Sequence, residues 1–156
     1  MADVFEVVSL LKEKNLKIAT AESCTGGMIA STIVDVPGVS AFFDEGYVTY
    51  ANEAKHKNLF VDWDILNQYG AVSEECAYAM AQGLYRQTQA DVCICSTGIA
   101  GPDGGTPEKP VGLVYLSCKY KDKVTVEKCN FSGSRTEIRK AAVDRAFEFI
   151  LECMNN

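Results

Sequence analysis

The sequence predicts a three-layer α/β/α domain with a mixed central sheet, and three observations support that prediction. Helical and extended patterns alternate along most of the chain, as expected of a sheet with helices on both faces. The run 92–96 is continuously apolar, which is typical of a central strand covered on both sides. The chain ends in two extended segments and a long amphipathic segment, which predict a hairpin and a closing helix. The length of 156 residues is that of a single domain, so residues 1–156 are assigned to one unit.

Hydrophobic spacing and capping residues define the individual elements. Ser73 precedes two glutamates and is predicted to cap a helix, because acidic residues suit a first helical turn. Asn52 is predicted to cap a shorter helix. The predicted helices are 3–14, 28–34, the segments after Asn52 and after Ser73, and 135–154, and the predicted strands are 17–21, 46–51, 92–96, 111–118 and 124–131, the last two joined by a turn at 120–122. The residues expected to face the core are Val4, Val7, Val8 and Leu11 in the first helix, Ala77, Met80, Ala81 and Leu84 after Ser73, and Ile138, Ala142, Ala146, Phe149 and Ile150 in the last helix.

Composition and charge narrow the class of protein. The net charge of -6 and the pI of about 4.8 argue against a nucleic-acid binder, because phosphate contacts need a basic face. No stretch is apolar enough to span a membrane, and residues 1–6 lack the basic start of a signal peptide, so we expect a cytoplasmic protein. The seven cysteines are odd in number and irregularly spaced, which favours reduced core thiols. His56 is the only histidine, and no spacing of ligands indicates a zinc site.

Residues 20–27 read Thr-Ala-Glu-Ser-Cys-Thr-Gly-Gly and predict a strand, a tight turn and a helix start. Unpaired backbone N–H groups at a helix start can hold an anion or the oxyanion of an amide under attack. Ser23 and Thr25 offer hydroxyls there, and Cys24 offers a thiol whose pKa such a site would lower. The simpler interpretation is that Ser23 or Thr25 caps the helix, and this segment alone favours it.

Tyr50 and Lys55 lie at a predicted strand end and one helical turn beyond it. A serine hydroxyl is a weak nucleophile and needs a base. A triad would depend on His56, for which no carboxylate partner is evident, whereas a lysine of lowered pKa, helped by a tyrosine, can take its place. A surface lysine and a half-buried strand tyrosine are the alternative, which this segment alone favours.

The glycine-rich loop from Gly98 to Pro110 follows the predicted central strand. Glycine lets a backbone approach a ligand closely, and proline fixes the path of a loop. The loop lacks the Gly-Lys-Ser/Thr ending of a phosphate-binding P-loop, and no helix begins there as a dinucleotide site requires. A functional loop and a plain connection are equally supported.

Arg135 and Arg139 stand one turn apart at the start of the closing helix, which Ser134 is predicted to cap. Positive charge opposes the helix dipole at this end. The two side chains are therefore candidates for binding a phosphate, which arginine grips bidentately. The alternative is a pair of solvated arginines matched to Glu137 or to the acidic surface.

Taken in order, these segments resemble the CinA C-terminal-domain family, which includes the nicotinamide-nucleotide amidohydrolases called PncC. The resemblance runs over nearly the whole chain, and its motifs are residues 20–27, 48–55, 70–73, 98–105, 109–112 and 133–135. Many members carry an additional N-terminal domain similar to molybdopterin-binding proteins. This sequence begins at the amidohydrolase-like domain, and we expect the stand-alone form.

The resemblance implies hydrolysis of nicotinamide mononucleotide to nicotinic acid mononucleotide and ammonia, in the recycling of pyridine nucleotides. It also implies a homodimer and no metal or other cofactor. On the family pattern Ser23 is the nucleophile, Lys55 its base, and Tyr50 a proton relay or orienting group. Arg135 and Arg139 would meet the phosphate. The other residues expected to bind the substrate are Glu22, Cys24, Thr25, Gly26, Gly27, Thr97, Gly98, Gly101, Pro102, Gly104, Gly105 and Thr106.

A second hypothesis is a nucleotide- or partner-binding module that keeps the pocket without turnover. Intact Ser23, Tyr50 and Lys55 favour the enzyme, because a binding module has no need of an activated hydroxyl. Release of ammonia by the purified protein separates the two hypotheses.

Overall fold

The computed structural model describes residues 2–156, which form six α-helices and five strands. A single 3-10 turn, Val39–Ala41, precedes the second strand. The elements in chain order are α1 (Ala2–Lys14), β1 (Ile18–Glu22), α2 (Met28–Val34), β2 (Phe43–Val48), α3 (Asn52–Leu59), α4 (Trp63–Gln68), α5 (Glu74–Thr88), β3 (Val92–Gly98), β4 (Leu113–Tyr120), β5 (Lys123–Asn130) and α6 (Arg135–Asn155).

The five strands form one mixed sheet in the order β2-β1-β3-β4-β5. Strand β1 runs parallel to both β2 and β3, whereas β4 and β5 are antiparallel to their neighbours. Glu22, the last residue of β1, pairs with Val48 in β2 and with Ser96 in β3. The carboxyl ends of three adjacent parallel strands therefore meet at one edge of the sheet, the usual place for a ligand in an open α/β sheet.

Helices cover both faces of the sheet, which confirms the predicted three-layer architecture. Helices α1, α2 and α6 bury one core, in which Leu11, Ile29 and Phe147 are inaccessible. Helices α3, α4 and α5 bury a second core that contains Leu59 and Met80. The chain thus leaves β1 toward one face and β2 toward the other, which opens a crevice between the ends of these two strands.

The capped helices and the hairpin agree with the sequence. The Ser73 hydroxyl accepts a hydrogen bond from Cys76 N–H, and Ser134 forms a capping box with Glu137. Lys121 and Asp122 make a two-residue turn between β4 and β5. All residues expected to face the core from the first helix, the helix after Ser73 and the last helix are buried.

Three predictions about local structure were wrong. Strand β2 lies three residues earlier than expected, because it is an edge strand whose mostly exposed residues show no regular alternation. Asn52 is the first residue of α3 and Ala51 is its cap, with no side-chain hydrogen bond. Helix α4 was not predicted, although Asp62 caps it by accepting a hydrogen bond from Asp64 N–H.

Among residues 2–156, none of the helices combines the length and the apolar character that crossing a membrane requires.

Candidate active site

A pocket of about 230 Å³ lies at the crevice beyond the ends of β1, β2 and β3. It brings together residues from four of the segments singled out in the sequence. The pocket is lined by Ser23, Cys24, Tyr50, Lys55, Ala71, Val72, Thr97, Gly98, Ala100 and Arg135. We call it the Ser23 pocket.

The Ser23 hydroxyl and the Lys55 amine are in direct contact at the base of this pocket. Lys55 Nζ lies 3.0 Å from Ser23 Oγ, and only 1% of the lysine is exposed. The amine also donates to the backbone carbonyls of Thr49, at 2.8 Å, and Tyr50, at 3.1 Å. The lysine is therefore neither a surface residue nor part of a salt bridge with a described carboxylate.

Burial lowers the pKa of Lys55 below its usual value of 10.5, because the ammonium loses its hydration. The thiols of Cys24 and Cys76 are the nearby groups that act in the opposite direction. Burial raises the pKa of each thiol to about 11, so both are neutral near pH 7 and supply no counter-charge. The lysine is thus placed to lose its proton to solvent more readily than an ordinary lysine.

Cys24 does not have the lowered pKa that the sequence suggested. Its pKa is raised to about 11, chiefly because only 6% of the residue is exposed. A buried thiol of that pKa carries little thiolate at neutral pH. Ser23 is therefore the better nucleophile candidate of this turn, although Cys24 contributes to the pocket wall.

Tyr50 divides its contacts between the backbone and the side chain. Its carbonyl accepts the hydrogen bond from Lys55, while 61% of the residue is exposed and its hydroxyl accepts from Arg135 Nη2 at 3.1 Å. The hydroxyl is thus bonded to the arginine, whereas the carbonyl contacts both Lys55 Nζ and, at 3.4 Å, the Ser23 hydroxyl. The structure supports an orienting contact through the backbone and gives no hydrogen bond from the Tyr50 hydroxyl to Ser23 or Lys55.

The two arginines of α6 have different surroundings. Arg135 lines the pocket and donates to Gly101 O at 2.7 Å, so it joins the glycine-rich loop to Tyr50. Arg139 lies behind the turn and donates to the carbonyls of Cys24, at 2.9 Å, and Thr25, at 3.2 Å. Arg135 is consequently the candidate for a phosphate, whereas Arg139 binds the backbone that carries Ser23.

Glu22 and Thr25 are fully buried and do not reach the surface of the Ser23 pocket. Their side chains bond to each other and to the start of α2, so a direct contact with a substrate, as the family pattern implied, is not available to them. Gly26 and Gly27 have positive φ angles of 59° and 101°, which the turn requires and which glycine adopts freely.

The glycine-rich loop contributes to the pocket only through its first residues. Gly98 and Ala100 line it, next to Thr97 of β3. Ala100 lies within the motif 98–105 but was not among the residues expected to bind the substrate. Pro102, Gly104, Gly105 and Thr106 are exposed and lie outside the Ser23 pocket. Gly105 packs against the backbone of Val111, where a Cβ would approach the Val111 nitrogen to 2.8 Å. Thr106 closes a turn by accepting from Lys109 N–H.

The family motifs 48–55 and 70–73 contain Thr49, Ala71 and Val72, but sequence reasoning assigned these three residues no role at the site. The last two lie between α4 and α5 and form part of the wall, and Ala71 O accepts a hydrogen bond from the Thr97 hydroxyl at 2.8 Å. Their place at the site could not be predicted because α4 was not predicted, and α4 brings this segment to the strand ends.

The model of the CinA C-terminal domain family matches residues 4–154. A competence-damage inducible protein of Clostridium beijerinckii is 57% identical over 90% of this chain and 34% of its own length. A CinA-like protein of Kosmotoga olearia is 51% identical over 92% of this chain and 35% of its length. The chain therefore spans about one third of the length of these curated relatives.

Solved structures share the complete fold. The competence/damage inducible protein CihA of Agrobacterium tumefaciens is 40% identical and superposes with a TM-score of 0.95, covering 99% of this chain and 94% of its own. The competence damage-inducible protein A (ComA) of Klebsiella pneumoniae is 32% identical with a TM-score of 0.96, covering 99% of this chain and 96% of its own.

Proposed function

The chain belongs to the CinA C-terminal domain family, and we propose that it is a serine amidohydrolase that deamidates nicotinamide mononucleotide. The observation that carries this proposal is the buried contact between Lys55 Nζ and Ser23 Oγ. Burying a lysine without a salt-bridge partner costs stability, so a fold has no reason to retain one for packing alone. The proposed role of the buried amine is to act as the base for the adjacent Ser23 hydroxyl.

The hydrogen bonds of Lys55 suit a neutral amine. A neutral amine has two N–H groups and one lone pair, and the carbonyls of Thr49 and Tyr50 accept two N–H bonds. The third direction faces Ser23 Oγ, to which Nζ donates at 3.0 Å, while the Ser23 hydroxyl donates to Tyr50 O at 3.4 Å. Once the amine is neutral, its lone pair lies on this side and can accept the hydroxyl proton when the hydroxyl turns toward it. The two carbonyls therefore orient Lys55 Nζ so that its lone pair points to Ser23 and takes up the proton from that side.

In the first half of the proposed reaction, Ser23 Oγ attacks the carboxamide carbon and Lys55 takes the hydroxyl proton. The C–N bond then breaks as Lys55 returns that proton to the leaving nitrogen, so ammonia departs and an ester with Ser23 remains. Water attacks the ester in the second half, again giving its proton to Lys55. The Ser23–acyl bond then breaks as Lys55 returns that proton to Ser23 Oγ, and the carboxylic acid is released. Lysine serves as base and acid in turn.

The oxyanion of each tetrahedral intermediate requires a hydrogen-bond donor. Within residues 2–156, the backbone N–H of Cys24, which directly follows Ser23 in the turn, donates to no backbone carbonyl. An N–H beside the nucleophile is suited to this task, and loss of one such donor typically costs about 10²–10³-fold in kcat.

The size and charge of the pocket favour a small aromatic amide joined to an anion. At about 230 Å³ the pocket is smaller than the roughly 300–1,000 Å³ typical of sites that enclose a drug-sized ligand. A pyridine carboxamide fits such a volume, and the rest of a mononucleotide would extend toward the exposed Arg135. A guanidinium at that position suits a phosphate.

The test is ammonia release by the purified protein from nicotinamide mononucleotide, nicotinamide riboside, nicotinamide and the dinucleotide. We expect turnover of the mononucleotide with appearance of nicotinic acid mononucleotide in equal amount, and no turnover by Ser23→Ala. Absence of ammonia from all four amides would overturn the proposal and favour a binding module.

A further inference from the structure

Glu22 is a fully buried carboxylate located immediately before Ser23, at the end of β1. Its Oε1 accepts hydrogen bonds from Thr25 Oγ1, at 2.6 Å, and from Ile29 N–H, at 2.8 Å. Its Oε2 accepts from Ala30 N–H at 3.0 Å. The carboxylate therefore joins the end of the strand to the start of α2, and the turn that carries Ser23 lies between these two points.

The direction of each hydrogen bond in this network follows from the carboxylate. The Thr25 hydroxyl donates to Glu22 Oε1, so its proton is already engaged. Thr25 Oγ1 can then only accept from Ser96, which lies 2.7 Å away. The Ser96 carbonyl in turn accepts from Ser23 N–H at 3.0 Å. The chain of bonds from Ser96 through Thr25 to Glu22 thus fixes the backbone on both sides of Ser23.

Helix α2 lacks a cap of the usual kind. Gly27 stands at its N-cap position with a left-handed backbone and no side-chain hydrogen bond. Glu22 satisfies the free N–H groups from the preceding strand instead, and its negative charge suits the positive end of the helix. A serine or aspartate at the N-cap itself would cap the helix without burying a charge beneath the nucleophile.

On the basis of the proposed function, we propose that Glu22, acting through Thr25 and Ser96, is a positioning residue that holds Ser23 in line with Lys55. It sets the rate of the chemical step without touching the substrate. A shift of about 1 Å in a reacting group can cost on the order of a hundredfold in rate, so loss of this network should lower kcat and leave KM nearly unchanged.

The test compares Thr25→Val, which removes the hydroxyl and keeps the shape, with Thr25→Ser, which keeps the hydroxyl. Thr25→Val should lower kcat by about tenfold to a hundredfold, and Thr25→Ser should stay within about threefold of wild type. Glu22→Gln should resemble Thr25→Val, since its amide nitrogen cannot accept a bond. Thr32→Val is the matched control, because Thr32 lies on α2 and its hydroxyl donates to Met28 O, outside this network. This variant should retain wild-type kcat.

Two readouts separate this inference from the proposed function. The first is kcat and KM for ammonia release, and the second is the rate at which a fluorophosphonate phosphonylates Ser23, followed by intact mass. In the second reaction the Ser23 oxygen–phosphorus bond forms, fluoride leaves, and the serine proton passes to Lys55. If wild type labels rapidly but releases no ammonia, the amidohydrolase proposal fails, and the labelling rates of the variants still test the positioning role.

Slow labelling by Thr25→Val with recovery in Thr25→Ser supports the positioning role. Equal behaviour of these two variants, or a loss confined to KM, overturns it. Should Glu22→Gln fail to fold, the Thr25 pair decides, with thermal melts of both variants showing that the fold is retained.

Discussion

Replacing Lys55 by methionine tests the chemistry on which the proposed function depends. Methionine has a similar length and fills the buried space, but it cannot accept the Ser23 proton. We expect kcat for the mononucleotide to fall by about 10²–10⁴-fold, the usual contribution of a general base. This corresponds to roughly 3–5 kcal/mol of transition-state stabilisation at 1.36 kcal/mol per tenfold.

Substrate binding should change far less than kcat in this variant. Lys55 contacts Ser23 and two backbone carbonyls, so the amine holds the nucleophile and does not itself account for the affinity of the pocket. Calorimetric titration with the mononucleotide should give Kd values within about threefold of each other for Lys55→Met and for a Ser23→Ala reference.

The pH profile of ammonia release by the wild-type protein provides the second measurement. On the proposed mechanism the free amine is the active form, and burial lowers the pKa of Lys55 below 10.5. The value of kcat/KM should therefore rise with pH and level off above that lowered pKa. The remaining activity of Lys55→Met should lack this rise.

Lys57→Met is the matched control for this experiment, because Lys57 lies on the same short helix and is exposed. It should behave as wild type in both assays. The reasoning is refuted if Lys55→Met keeps more than about one tenth of the wild-type kcat, or if the wild-type rate is flat from weakly acid to alkaline pH.

Three further predictions follow from the same geometry. Ser23→Ala should abolish ammonia release and retain the wild-type melting temperature. Cys24→Ser should stay active, since the Cys24 thiol has a pKa of about 11 and carries little thiolate at neutral pH. The opposite pattern would make the cysteine the nucleophile. Arg135→Ala removes a charge-assisted contact of about 1.5–3 kcal/mol and should raise KM for the mononucleotide by roughly one to two powers of ten, with little effect on KM for the riboside. Tyr50→Phe should also raise KM for the mononucleotide, because the Tyr50 hydroxyl bonds to that arginine. An equal loss on both substrates would contradict a phosphate site. The free energy of unfolding of wild type, measured with denaturant, should rise relative to that of Lys55→Met from neutral to alkaline pH. The reason is that the folded lysine has a lowered pKa, so the unfolded state holds more protons until about pH 10.4. The slope of this rise cannot exceed about 1.4 kcal/mol per pH unit, and equal slopes for the two proteins would mean that the pKa is not lowered.

The sequence predicted the long elements well and the short edge elements poorly. Helices α5 and α6 have side-chain caps and several turns of apolar periodicity, so local signals and tertiary packing agree. Strand β2 pairs on one side only, and α4 has six residues, so neither carries enough periodicity to set its bounds. The cap at Asp62 was a usable signal for α4, since its side chain bonds to Asp64 N–H.

At the candidate site, the sequence could place residues at strand ends but could not give the direction of their side chains. Glu22 and Arg135 are both charged residues at the ends of elements, yet the first is buried under the turn and the second is exposed at the pocket. The difference arises from α2, whose free N–H groups attract the Glu22 carboxylate, and this contact exists only after the helix packs on the sheet. Arg139 likewise finds its carbonyl partners on a turn more than a hundred positions earlier in the chain.

The burial of Lys55 also explains why local sequence favoured the wrong alternative for it. Taken alone, a lysine in a short polar helix is best interpreted as a surface residue, and its neighbours Glu53 and Lys57 are indeed exposed. The segment from Thr49 to Lys55 turns back on itself, so that the two carbonyls at the end of β2 receive the amine of the helix that follows. The carbonyls direct the amine and the surrounding core lowers its pKa, while Ser23 arrives from the neighbouring strand. A buried lysine of lowered pKa therefore arises here from two strand ends meeting across a crevice. Changes that loosen the packing of α3 on α5 should raise the pKa of Lys55 and, on the proposed mechanism, slow ammonia release before they unfold the domain.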